Sequence, residues 1–137
     1  MNRRHVVLGL TLGMGLLMGA YAVGWLHAQT QLQRTTLVHA DMASIAGKEV
    51  DAWIVEFPPG AETGKHFHHA DQFVYVLEGT IIVEEEGKPP VTYKAGQMFH
   101  ELPNMQHTGR NGSTTAPLKV LAFQVRDKGQ PLLVPVK

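Results

Sequence analysis

The chain has no cysteine. Disulfides, thiolate metal ligands, a cysteine nucleophile and a lipid-modified cysteine anchor are therefore excluded. The compartment stays open, because exported proteins need not use disulfides. Serine is nearly as scarce: Ser44 and Ser113 are the only two, and neither sits in a Gly-x-Ser-x-Gly elbow. No glycine-rich phosphate loop and no basic patch suited to nucleic acid is present. Nothing in the sequence locates a facing pair of carboxylates of the kind used in glycoside hydrolysis. There is no long repeat, no low-complexity segment and no helical periodicity after residue 28. Charge of either sign is balanced, with 12 basic and 12 acidic residues.

What is present begins with an export-type N-terminus. Asn2, Arg3, Arg4 and His5 form a positive start, Val6 to Leu26 is an uncharged apolar run, and Leu26-His27-Ala28 offers a cleavage site before Gln29. That is the layout of a secretory signal peptide. The run is 21 residues long, which also suffices to span a bilayer. Two alternatives follow: residues 1–28 are a cleaved signal, or they are a retained anchor that tethers the protein through residues 6–26. In both, residues 29–137 form one domain outside the cytoplasm, in a periplasm or beyond. Without Arg3 and Arg4 its charge is 10 − 12 = −2.

The body reads as β-structure. Val50 to Phe57 alternates, with Trp53, Val55 and Phe57 on one face. Gln72 to Leu77 and Thr80 to Val83 are rich in β-branched and aromatic residues, with a Glu78-Gly79 turn between them. Glu84 to Glu86 read as a solvated hairpin tip. Val91 to Lys94, Met98 to Leu102 and Leu118 to Val125 complete the predicted strands. Gln29 to Gln33 read as a polar linker, and Asn111 to Thr115 as a surface loop. Strands spaced this way predict a sandwich or barrel.

Histidines set in glycine frames carry the chemistry. The first frame runs Gly60, His66, His68, Gln72, Gly79, and the second runs Gly96, His107, Asn111. Residues two apart in a strand face the same way, so His66 and His68 aim at one point. A third imidazole and a side-chain oxygen complete a shell suited to a borderline transition metal. The spacing resembles the two motifs of the cupin superfamily, over Gly60 to Asn111. Gln72 stands where the family has glutamate, and Leu102 and Asn104 stand where its second motif has proline and glycine, with Pro103 between them still encoding a turn.

The resemblance is to small single-domain cupins of the quercetin-dioxygenase-like group. It implies a double-stranded β-helix (a jelly-roll barrel), room for one ligand at its mouth, and a homodimer. It implies one divalent transition metal (iron, manganese, nickel, zinc or copper) on His66, His68, Gln72 and His107. The implied activity is dioxygenase-like, on a small enol, phenolic or carbonyl compound. The same scaffold serves isomerases, lyases and decarboxylases, and a non-catalytic metal-binding or small-molecule-binding module is a further alternative. With Gln72 uncharged, the site is effectively a three-histidine one.

Glu101 is the candidate catalytic residue. It shares a strand face with Phe99. If Phe99 lines the barrel, Glu101 is a carboxylate in an apolar cavity, its pKa rises, and it serves as general base, proton store or ligand. The alternative is a water-facing strand end. His69 and Asp71 point away from His68 and Gln72, and His39 and His100 have no frame.

Overall fold

A computed structural model describes residues 31–137. The signal or anchor expected over residues 1–28 lies outside the described residues. Those described are all-β: β1 (Gln33–Asp41), β2 (Lys48–Phe57), β3 (His66–Phe67), β4 (Gln72–Glu78), β5 (Thr80–Glu85), β6 (Val91–Lys94), β7 (Met98–Glu101), β8 (His107–Asn111), β9 (Leu118–Asp127) and β10 (Val134–Pro135). They form two five-stranded antiparallel sheets, ordered β1-β2-β9-β4-β7 and β10-β3-β8-β5-β6. The two antiparallel sheets agree with the sandwich or barrel read from strand spacing and with the jelly roll that the family resemblance implies.

The alternation read in β2 is real and longer than expected. Glu49, Asp51, Trp53, Val55 and Phe57 are all buried, with less buried residues between them. The inner face of this sheet is divided rung by rung. One rung joins Trp53, Ala122, Val74 and Phe99 as cross-strand partners across β2, β9, β4 and β7. The next joins Asp51, Gln124, Gln72 and Glu101. The first rung is apolar and belongs to the core, where it packs with Ile81 and Val83 of the other sheet. The second is polar and equally buried. Each buried apolar side chain contributes roughly 1.5–3 kcal/mol, so the apolar end holds the sheets together. The polar end must be internally paired, because an unpaired buried polar group is costly.

Three boundaries differ from the sequence reading. Gln33 is no linker but the first residue of β1, an edge strand whose residues are all exposed and which therefore lacks the half-buried alternation of β2. β5 continues through Glu85, with Glu84 paired across the strands to Thr108 and ion-paired to Arg110. Asn111 is buried at the end of β8 rather than in a loop. Its amide nitrogen donates to the carbonyls of Phe57, Pro58 and Ala116, and its oxygen accepts from the Ser113 amide. The second-frame asparagine is thus a clamp on two loops.

The frame glycines and their substitute are explained by backbone geometry. Asn104 has φ 61°, a left-handed conformation that asparagine tolerates better than most residues, so it makes the turn glycine would make. Gly79 combines φ +80° with crowding: an added Cβ would lie 2.7 Å from the Pro117 carbonyl oxygen. Gly79→Ala should lose about 1–3 kcal/mol from backbone strain alone and more from the clash. The matched control is Gly87→Ala, at φ +77° with nothing within 4 Å. Thermal melts should place Gly79→Ala clearly below Gly87→Ala, and equal melting temperatures would refute the crowding argument.

Candidate metal centre

Three short stretches bring the histidines together. His66 opens β3 and pairs across the strands with His107, the first residue of β8. His68 lies just beyond β3, two residues on and on the same face. All three are buried, with ring centroids 5.0 Å apart for His66 and His68, 4.4 Å for His66 and His107, and 5.2 Å for His68 and His107. One ring nitrogen from each lies within 4.8 Å of the others.

The backbone fixes which nitrogen is free. Nδ1 of His66 donates to the Gly64 carbonyl at 2.9 Å, Nδ1 of His68 to Leu132 at 2.7 Å, and Nδ1 of His107 to Met105 at 2.9 Å. With the proton on Nδ1, the neutral ring presents a lone pair at Nε2. Such a carbonyl partner is the usual device for setting the tautomer of a ligating histidine. Nε2 of His68 is buried and has no hydrogen-bond partner. An orphaned lone pair among three convergent imidazoles suits a divalent first-row metal. The residues present therefore fit the group.

Glu101 lies inside, not at a solvent-facing strand end. It is buried, with Oε1 3.3 Å from His107 Nε2 and Oε2 3.4 Å from His68 Nε2. Gln72, its cross-strand partner, donates from Nε2 to Glu101 Oε2 at 2.5 Å and leaves its own Oε1 unpartnered. The sheet register thus supplies a carboxylate one strand away from the position where the family motif carries its own. The expected rise in the Glu101 pKa is reversed in the metal-free protein. Burial pushes the carboxyl up, but the His107 and His68 imidazoles outweigh it and hold it at about 2. Burial likewise lowers His107, but Glu101 outweighs this and raises it. His66, farther from the carboxylate, is taken by burial down to about 4.

The other histidines fall elsewhere. His69 is exposed and bonds Asn104 Oδ1 at 2.9 Å. His100 bonds Asp71 at 2.7 Å and stacks on Phe73, so both lie outside the site. His39, which had no frame, meets Asp51 at 2.8 Å. Asp51 and Glu49 are also ion-paired to Arg126. That guanidinium already supplies the positive charge the two buried carboxylates need. No sequence signal announced this cluster, because its four members come from β1, β2 and β9.

The cavity is about 100 Å³, small beside the roughly 300–1,000 Å³ of drug-sized ligand sites. Its walls include Trp53, Val74, Phe99 and Ile81, together with the three histidines, Gln72, Glu101 and Arg34. Arg34 was missed in the sequence, although the β-branched residues around it, Thr35, Thr36 and Val38, were a usable strand signal.

Fold and site define an all-β barrel protein with a buried three-histidine centre at one end. A family model for the cupin domain matches residues 53–123, and the chain belongs to that family. Solved structures agree on the fold. A cupin superfamily protein from Desulfitobacterium hafniense has 13% identity and a TM-score of 0.61, over 72% of this chain and 81% of that one. A protein with a double-stranded β-helix domain from Klebsiella pneumoniae has 17% identity and a TM-score of 0.60, over 78% and 85%. KdgF from a Halomonas species has 26% identity and a TM-score of 0.56, over 71% and 81%. No curated protein shows significant sequence similarity to this chain.

Gln72→Glu tests the division of labour between positions 72 and 101. It replaces the donor to Glu101 with a second carboxylate in contact with the first. Like charges so close disfavour ionisation of both, so the metal-free fold should lose stability. A bound cation relieves that repulsion, so metal retention against a chelator should rise. Unchanged retention would put position 72 outside the ligand shell.

Proposed function

We propose that this cupin is a metal-dependent enzyme acting on a small enol or enolisable carbonyl compound. Its first chemical step is loss of a proton to Glu101. The buried Glu101 carboxylate, beside His68 and His107 and held by Gln72, carries the reading. One divalent first-row metal on Nε2 of His66, His68 and His107 supplies a Lewis acid for the substrate oxygen. With those nitrogens occupied, the positive charge that faces the Glu101 carboxylate would come from the ion rather than from protonated His68 and His107. The ion's own charge would then keep Glu101 ionised, and the carboxylate would accept a proton from a substrate whose acidity the same ion raises. Gln72 keeps the carboxylate oriented, and the Trp53, Val74 and Phe99 wall keeps water away from it.

Proton loss of this kind is shared by dioxygenase-like oxidation and by isomerase, lyase or decarboxylase chemistry. We favour the dioxygenase-like outcome from the family resemblance and the small size of the cavity favours short diketones and enols over multi-ring phenolics. The test offers the metal-loaded protein a panel of small enols and diketones in deuterated water. Oxygen uptake supports oxidation. Deuterium exchange without oxygen uptake supports the isomerase or lyase alternative. Neither signal leaves a binding module and overturns the enzymatic reading.

We further propose that the domain works outside the cytoplasm as a homodimer. The support is the charged, then apolar N-terminus and exposed apolar side chains on the outer face of the β1-β2-β9-β4-β7 sheet, where Phe73 faces Phe123. Mass spectrometry of the mature protein should find a terminus at Gln29 or an intact anchor in the membrane fraction. Sedimentation should give two chains per particle. A full-length cytosolic monomer would refute both statements.

A further inference from the structure

Arg34 is the one described arginine without a carboxylate partner. Arg110 pairs with Glu84, and Arg126 with Glu49 and Asp51, but no ion pair joins Arg34 to any described residue. Residues 1–30 contain no aspartate or glutamate, so that segment supplies no partner either. Arg34 is nevertheless held in place. It pairs across the strands with Val55, and its guanidinium lies over the Trp53 ring, 5.5 Å from the centroid. Trp53 and Val55 both line the cavity, and Arg34 lines it with them.

Partial burial lowers the Arg34 pKa, yet an arginine stays charged at any physiological pH. A fixed, charged fork without an anion beside it is suited to a planar carboxylate, which it can bind through two parallel hydrogen bonds. Arg34 is exposed as a residue and still borders the cavity, so it stands where the cavity meets solvent. The three histidines and Glu101 line the same space. With a divalent metal and one carboxylate, the centre carries net positive charge, and Arg34 adds to it. Gln72 adds no compensating negative charge.

We propose that Arg34 determines specificity by binding the carboxylate of a small acyclic oxo-acid or enol-acid, whose carbonyl or enol end reaches the histidine centre. This deepens the function proposed above and rests on it for the fate of the carbonyl end, but the carboxylate contact is measurable without turnover. The cavity volume limits the substrate to a few carbons. The trapped end is the acid, and the reacting end is the oxygen farthest from it.

The experiment uses calorimetric titration of the full-length protein, metal-free and zinc-loaded. The probes are levulinate and its neutral isostere acetonylacetone, which differ in little but the carboxylate. Wild type should bind levulinate at least about tenfold more tightly, a difference of about 1.4 kcal/mol. Arg34→Gln should abolish that preference while leaving acetonylacetone binding and zinc content unchanged. Arg34→Lys should keep part of it, as a point charge without the fork. The proposal is overturned if wild type binds no levulinate, if it does not prefer levulinate, or if Arg34→Gln weakens both probes equally. That last result would make Arg34 a packing cover on Trp53. A levulinate preference in a protein that takes up no metal would sustain the Arg34 assignment and sink the metal-dependent function instead.

Discussion

Replacing His66, His68 and His107 together with alanine should abolish stoichiometric metal binding, from about one divalent ion per chain to none. Each Nδ1 is tied to a backbone carbonyl, so each ring is oriented before metal arrives and little ordering remains to oppose binding. Loss of an outer partner of a ligand typically reduces affinity 10–100-fold, so loss of a ligand itself should cost at least roughly that much per histidine. Acid should act in the same direction. A metal needs the neutral rings. His66, lowered to about 4 by burial, resists protonation, whereas burial of His107 is outweighed by Glu101, which raises it above the ordinary imidazole value. Affinity should therefore begin to fall as pH drops through the His107 value. Elemental analysis after dialysis checks both outcomes. Full occupancy in the triple variant would sink the site.

Glu101→Gln should reduce turnover of an identified substrate by roughly 10²–10⁴-fold, the usual contribution of a general base, with metal content unchanged. The amide keeps the shape and the contact with Gln72 but removes the group that accepts the proton. Loss of metal together with turnover would instead make Glu101 a ligand. Unchanged turnover would exclude it from the chemistry. Stability of the metal-free protein gives a second readout. An unpaired buried carboxylate would be relieved by this change. In the structure Glu101 is paired with His107, so the metal-free variant should be less stable.

The strands that carry alternation were legible from the chain alone. Trp53, Val55 and Phe57 face inward as read, because a half-buried strand needs one apolar face. The glycine frames located His66, His68 and His107, because left-handed turns and their spacing are local properties of sequence. Asn104 shows the same local logic, since it adopts the conformation of the glycine it stands in for.

β1 was missed because an exposed edge strand buries neither face and so leaves no alternation, and the β-branched Thr35, Thr36 and Val38 were its one local signal. The environment of Glu101 was also undetermined: its strand face was readable, but whether that face met water or histidines was not. Its partners lie on β4, β8 and beyond β3, and their distance depends on register between strands far apart in the chain. The same holds for the buried polar rung of Asp51, Gln124, Gln72 and Glu101, and for Arg34 beside Trp53. Sequence determined the fold class and three imidazoles, which follow from local periodicity and spacing. Only the packed sheets decided which carboxylate joins them and which arginine faces their cavity, because those neighbours are set by cross-strand pairing over long separations.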